Sequence, residues 1–512
     1  MSGDHARAAQ LLASLAEAQP DQSDIARKAL SEAIGAGQMD LALKLVRGVP
    51  AAKLSPDARL LLVVQEVRRG HPERALAWLA GDADSGDLTF LAPLINAWSS
   101  ADRGNAQQAL TTLDQMPSRS LLSPMTAEER AFILLKFRRT AEAEPLARQA
   151  IGTAGARGQR LRLAFADAFV AAGDPQRALM MIDGMGAGEA AARRRIAAGK
   201  SSGQAVDNLP KALSEVLTAF SGDLLRLQRG AVPVGLVQVA RYANPQNSNA
   251  TALLALLLAR QDRNEEALAL LRTVPAGDAL VGQARDVQVH ILADGKRYNE
   301  AYQIAAAAAA APDADGSDFS RLGDVLEAMK RHNEAADAYG RAIALAQAQN
   351  LKSELWSLLL LRASALEQGN RWPEARTALQ QALVLEPDQP LLLNFLGYAK
   401  LERGEDMDAA EAMIRKASEL APDEGSITDS LGWAEFKRGK VDEAIATLQK
   451  AAEKDPAQAD IQEHLGDALY RSGRRYEARF AWNASLVTAE DEVAARVKAK
   501  LMSGLTPANA AP

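Results

Sequence analysis

The chain has five histidines and no cysteine among its 512 residues. With no thiol it carries no disulfide, no thiolate metal site, no cysteine nucleophile and no acylated lipoprotein cysteine. Metal binding or general-base work would fall to His5, His71, His290, His332 and His464. No two of them stand at the i, i+4 spacing of a helical zinc site, and HExxH does not occur. No serine, histidine and aspartate set is spaced so as to assemble a nucleophile with its base. "GMGAGEAA", with Gly184, Gly186 and Gly188, has the glycine density of a phosphate loop. It follows the helical "ALMMID" with no strand, so the βαβ setting that makes such a loop useful is missing. "ARRR" at 192–195 gathers basic charge, but 59 basic against 65 acidic residues leave a net −6. A protein that tracks phosphates carries a basic surplus, so nucleic acid is not an expected partner and the arginines read as a solvated helix face. Nothing here calls for catalysis, a metal or a cofactor. What remains is a binding surface.

The elements that would carry such a surface are helices. Hydrophobic residues make up 48% of the chain and aromatics only 4%, and alanine and leucine dominate, which favours helix over strand. A chain this long cannot close around one core, so it must be several domains or a stack. No run approaches the ~18–20 apolar residues of a membrane span. The C-terminal part shows which kind of stack. "LNFLGYAKLERGEDMDAAEAMIRKASELAPD", "ITDSLGWAEFKRGKVDEAIATLQKAAEKDPA" and "IQEHLGDALYRSGRRYEARFAWNASL" follow one another. Each has Leu-Gly on a first helix (Leu396-Gly397, Leu431-Gly432, Leu465-Gly466) and a turn glycine (Gly404, Gly439, Gly473). Each opens a second helix with an alanine (Ala410, Ala444, Ala478). Pro422 and Pro456 close the first two. The alanine keeps phase along the chain: Ala267, Ala301 and Ala335 lie 34 apart, and Ala8, Ala42, Ala75, Ala109, Ala143 and Ala178 step by 34, 33, 34, 34 and 35. Antiparallel helices need small side chains where their backbones approach, and leucines at i, i+3, i+4 and i+7 give the face shared with the next pair. One pair cannot bury its own face, so stability comes from stacking.

This pattern resembles the tetratricopeptide repeat family over most of residues 1–488, most strongly over 251–488. The resemblance implies an all-α fold, an α-solenoid or superhelix of about 13 stacked helix-turn-helix repeats. The expected divisions are an N-terminal array over 1–183, an irregular helical junction over 184–230 and central repeats over 231–345. C-terminal repeats over 346–488 and a capping helix with a loose tail over 489–512 complete them. Arg138 and Lys330 replace the turn glycine in two repeats. "LNFLGY", "DSLGWAEFKRGKVDEAI" and "HLGDALYRSGRRYEARFAW" are similar to a group of bacterial cell-envelope tetratricopeptide proteins, exported or lipid-anchored. Members of that group are associated with binding envelope partners, including proteases and their substrates.

The start falls mid-repeat: Gly3 lies five before Ala8, and Pro20 ends a second helix whose first-helix partner is missing. A lone capping helix would suit this, and so would a native start further upstream with an export signal. "MSGDHARAAQ" shows no basic and apolar leader, so the chain as written reads as cytoplasmic. An upstream start would admit the periplasm or cell envelope.

First helices line the inner groove of such a superhelix. Three before, one after and four after the motif glycine point there, which selects Asn394, Tyr398 and Leu401, then Asp429, Trp433 and Phe436, then Glu463, Asp467 and Tyr470. The stripe is aromatic and acidic. Aromatics anchor partners at low entropic cost, and carboxylates favour a ligand with lysine, arginine or a free amine. The expected partner is a protein or extended peptide of basic character, held by a non-catalytic scaffold. An alternative is an assembly or oligomerisation element acting through the exposed N-terminal half-repeat. Relatives that grip a C-terminal carboxylate use lysine, arginine and asparagine at these positions, and the acidic residues depart from that clamp.

Overall fold

The computed structural model describes residues 5–19, 21–81, 86–185, 189–200, 204–226, 234–312, 314–349 and 351–511. Among them every regular element is helical. The chain divides into two units, Met1–Met329 and Lys330–Pro512.

In the first unit, α1 (His5–Ala18) precedes the hairpins α2–α3 (Ser23–Gly35, Met39–Leu45), α4–α5 (Pro56–Arg68, Pro72–Ala75) and α6–α7 (Ala92–Asp102, Ala106–Asp114). The hairpins α8–α9 (Thr126–Lys136, Thr140–Thr153) and α10–α11 (Gly158–Ala171, Pro175–Ile182) follow. Next come α12 (Glu189–Ala197), α13 (Leu209–Arg226) and α14 (Val234–Ala243). The unit ends with α15–α16 (Ser248–Ala259, Asn264–Leu271), α17–α18 (Val281–Asp294, Tyr298–Ala309) and α19 (Gly316–Ala328). The second unit runs α20 (His332–Ala348), α21–α22 (Lys352–Gln368, Trp372–Leu385) and α23–α24 (Pro390–Glu402, Met407–Leu420). It continues with α25–α26 (Gly425–Lys437, Val441–Lys454) and α27–α28 (Ala459–Arg471, Arg475–Ser485), and closes on α29 (Asp491–Ser503).

The alanine register is the packing register. Ala42, Ala75, Ala109, Ala143, Ala178, Ala267, Ala301, Ala335, Ala375, Ala410, Ala444 and Ala478 are all fully buried. At the start the phase falls one residue later than the spacing from Ala42 suggests. Ala9 is the buried residue there and Ala8 is half-buried.

The turns show how a repeat manages without glycine. Gly439 and Gly473 take the left-handed backbone, and so do Arg138, Asp262, Lys296, Lys330 and Asn370 at equivalent turns. In each of those five the next residue is an arginine clamped on a glutamate three further on, as in Arg139–Glu142 and Arg371–Glu374. An L side chain in that conformation costs about 1–2 kcal/mol, which stacking absorbs.

Helix α13 is the departure from a plain stack. It packs on the first helices α4 and α6 and on α14, while α14 packs on α2 and α4. The Leu209 amide donates to Asp102 Oδ2 at 3.1 Å, and Phe220 meets Phe90 edge-on at 5.7 Å. Arg160 on α10 donates to Glu215 Oε1 at 2.5 Å. The stretch 184–230 therefore contains a helix laid along the inner face of the N-terminal array. Leu209, Ala212, Leu213, Val216, Leu217 and Ala219 are buried in that array's core. The buried hydroxyls of Thr218 and Ser221 donate back to the Ser214 and Leu217 carbonyls, so each stays satisfied. Nearby, Trp98 Nε1 donates to Glu129 Oε2 at 2.6 Å. Burial, helped by the charge of Glu128, pushes the Glu129 carboxyl up to about 8.

Candidate partner-binding groove

In the second unit the motif glycines let second helices press against first helices. A Cβ on Gly397 would lie 2.7 Å from Ile414 Cγ1, and one on Gly432 would lie 2.6 Å from Leu448 Cγ. On Gly466 it would collide with the Trp482 indole. Holding the second helices behind α23, α25 and α27 leaves the opposite faces of those three helices to form the inner wall.

Most of the residues selected by spacing come together on that wall, with Leu401 and Tyr398 packed in the cluster that holds Trp433. Trp433 stacks between Phe436, at 4.8 Å and 17°, and the imidazole of His464, at 4.1 Å and 13°. His464 Nδ1 bonds both Asp429 carboxylate oxygens, at 2.9 and 3.0 Å. Burial of the imidazole opposes protonation, but the charge and hydrogen bond of Asp429 outweigh it and hold His464 above its ordinary value. Tyr470 packs beside Trp482, 5.4 Å between centroids, and Trp482 Nε1 donates to Asp467 Oδ1 at 2.9 Å. Tyr398 and Asn394 stand half-buried one repeat away. Burial and the carboxylates of Glu402 and Asp429 push the Tyr398 phenol up, and the Asn394 carboxamide oxygen accepts no hydrogen bond among the described residues.

The stripe is not an open surface. Trp433, Glu463 and Asp467 are at most 1% exposed, because α29 and residues 504–511 lie over them. Lys500 is fully buried, with Nζ 2.7 Å from Glu463 Oε1 and 2.6 Å from Asp467 Oδ2. Arg496 adds a two-pronged bond to Glu463, at 3.0 and 3.2 Å. The two carboxylates respond in opposite directions. Burial pushes both up. At Glu463 the hydrogen bonds from Arg496 and Lys500 prevail and hold it below the usual range, whereas at Asp467 burial outweighs Lys500 and the bonds from the Ala511 amide and Trp482, and keeps it above that range. Beyond α29 the Ala511 amide donates to Asp467 Oδ2 at 3.1 Å.

Spacing missed His464, Arg496, Lys500 and Ala511. A signal for the first was present, since His464 lies 35 residues after Asp429, one helical hairpin along. Arg496 and Lys500 stand at i, i+4 around Val497, one face of what reads as a polar cap. Ala511 carries no such signal.

The remaining candidates are engaged elsewhere. His5 bonds Glu32, His290 pairs with Asp294 at 3.3 Å, and Arg193 and Arg195 on α12 bond Asp183 and the Gly277 carbonyl. Gly184 takes a left-handed turn, while Gly186 and Gly188 lie outside the described residues. Among the described residues no three His, Asp or Glu side chains gather as a metal site, and no helix is long and apolar enough to cross a membrane.

Each unit is built by stacking helical hairpins, which defines an α-solenoid. Family models for the tetratricopeptide repeat match residues 360–424 and 432–473. The chain carries tetratricopeptide repeats over those residues, and such arrays serve as scaffolds for protein interaction. No curated protein matches the sequence. Similar solved structures include the APC/C hetero-tetramer Cut9–Hcn1, 17% identical over 95% of this chain and 96% of that one, with a TM-score of 0.40. Yeast Tom70 is 12% identical over 81% and 95%, with a TM-score of 0.42. A tetratricopeptide repeat protein from Parabacteroides merdae is 14% identical over 56% and 97%, with a TM-score of 0.40. At these identities and scores nothing about partners carries over.

Proposed function

We propose that this chain is a non-catalytic adaptor that holds an extended, basic segment of a partner protein against α23, α25 and α27. The supporting observation is the gathering of Asp429, Glu463 and Asp467 beside the Trp433–Phe436–His464 stack, on a wall whose carboxylates already hold a lysine and an arginine. A largely preformed wall spares much of the ordering cost of association, so several modest contacts suffice. The resemblance of the C-terminal repeats to bacterial envelope proteins supports a cell-envelope setting for this work. Recovery of the native protein in the cytosol on fractionation would remove that setting. Site-specific photo-crosslinking tests the groove, with the reactive group at Tyr398 or at the exposed Val384 on α22. The partner is expected to crosslink from position 398, to lose that crosslink in Asp429→Asn, and to be missed from 384. Equal labelling from both positions rejects the groove.

A second reading, assembly through the N-terminus, is favoured by Leu11 and Leu15. They stand one turn apart on α1 and are 64% and 41% exposed. Sedimentation of Leu11→Glu tests it, since loss of self-association would support assembly and an unchanged monomer would dismiss it.

A further inference from the structure

The segment over the groove is built unlike the helices around it. Of its thirteen residues, α29 fully buries only Val497 and Lys500, with Val493 and Leu501 packed partly and Met502 in solvent. Past the helix, Gly504 adopts φ +79, and the Tyr470 hydroxyl fills the space where a side chain would stand. Asn509 then ties a small loop, its Nδ2 donating to the Gly504 carbonyl at 2.9 Å and its Oδ1 accepting from the Thr506 amide at 2.7 Å. Ala511 ends among Leu401, Ile414, Leu431 and Trp433, side chains of α23, α24 and α25. From Lys500, seated against the α27 carboxylates Glu463 and Asp467, to Ala511 beside Trp433 of α25, the chain thus crosses the inner wall backwards through the array, the route an extended ligand would follow. Its residues on that route, "GLTPANAA", are mostly small and include no aromatic anchor. Its strongest hold is one lysine between two carboxylates.

We propose that residues 491–511 are an internal ligand of the groove. An external partner displaces them by presenting the same chemistry, a lysine for Glu463 and Asp467 followed by a run of small residues that reaches Trp433. The lysine requirement follows from burial: a ligand that covered these carboxylates without a cation would leave them desolvated and unpaired. A tethered ligand acts at roughly millimolar effective concentration, so the groove is masked about tenfold or more against a free peptide of comparable affinity. The identity of the partner rests on the adaptor reading above; the displacement does not.

The test uses a fluorescent peptide with the sequence of residues 496–511 and its Lys500→Glu counterpart, followed by anisotropy. The chain ending at Glu490 should bind the first peptide at least tenfold more tightly than the full chain does, and the second peptide should bind neither. Equal binding to both proteins, or no binding by a shortened chain that keeps its helical circular dichroism, overturns the proposal. If the shortened chain does not fold, the full chain with a protease site at 487–490 is cleaved after folding. The freed segment should then exchange for the fluorescent peptide, and a segment that never exchanges is a fixed cap and overturns the proposal. Partner crosslinking at Tyr398 that is equal with and without the segment sinks the internal ligand and leaves the adaptor. Peptide exchange with no partner crosslinking does the reverse.

Discussion

Helices α13 and α29 each lie across the first helices of their own unit, and they are held there by different physics. Ten positions of α13 are buried, and leucine, valine and alanine dominate them. Fully burying one such leucine or valine is worth about 1.5–3 kcal/mol, so the contact amounts to several times the stability margin of a repeat. Helix α29 buries one valine and one lysine, and the lysine's gain is set against the desolvation of three charges. The first groove is therefore closed for good, as part of a core. The second is closed by a contact that can be exchanged. The same architecture yields a filled array and an available one, and the deciding quantity is apolar area at the inner face.

Removing side chains should separate the two cases most sharply. Leu213→Ala is expected to cost the first unit about 3–4 kcal/mol, the range for a buried leucine whose site cannot collapse, measured by urea unfolding. Val497→Ala should cost about half as much, and a loss as large as that of Leu213→Ala would break the comparison. Next comes Lys500→Ala. Stripping the cation from a buried pair costs about 3–5 kcal/mol where the carboxylates stay dry, but here α29 can lift and let water reach Glu463 and Asp467, which lowers the cost. Hydrogen exchange should speed up over 491–511 while amides of α25–α28 stay protected. Uniform acceleration through those helices would mean that α29 is core after all.

A third test uses pH. The folded Glu129 carboxyl titrates near 8 against about 4.5 when unfolded, so the folded state binds the extra proton between those values. The contribution of Glu129 to the stability of the first unit should be fully present below about 4.5, fall as pH rises through the window by up to ~1.4 kcal/mol per unit, and be lost above 8. Glu129→Gln keeps an acceptor for Trp98 and should flatten that slope. An unchanged slope would assign it to another group. Glu463 in the second unit works in the opposite sense, because its lowered value makes its contribution present above the ordinary carboxylate range and lost in acid. The smallest effect lies outside both grooves and calibrates them. Arg138→Gly should raise the melting temperature slightly, by about 1 kcal/mol of relieved left-handed strain, and a drop would show that the Arg139–Glu142 clamp needs the arginine before it.

The repeat was legible in the sequence because burial imposes it: an alanine such as Ala444 has no room to vary, so its interval survives as text. The inner-wall residues were legible for the same reason, through their offset from Gly432 and Gly466. What covers them was not. The bonds from Lys500 to Glu463 and Asp467 join residues 37 and 33 apart, close to one repeat, yet α29 belongs to no repeat and its polar residues read as a solvated cap. Helix α13 was hidden differently. Its buried Ser214, Glu215, Thr218 and Ser221 make the strip look irregular, and only the partners Asn247 and Arg160, elsewhere in the chain, explain Ser214 and Glu215.

The position of Ala511 bears on how this protein is handled at the bench. Ala511 packs with Leu401 and Trp433, so an affinity handle inserted at that position competes with, or dislodges, the residues that normally rest on the wall. A polyhistidine extension would bring imidazoles toward Asp429 and Asp467, carboxylates that favour cations. Handles on the other terminus keep the groove in its own state, and comparing the two fusions in one assay shows directly how much the last residues matter.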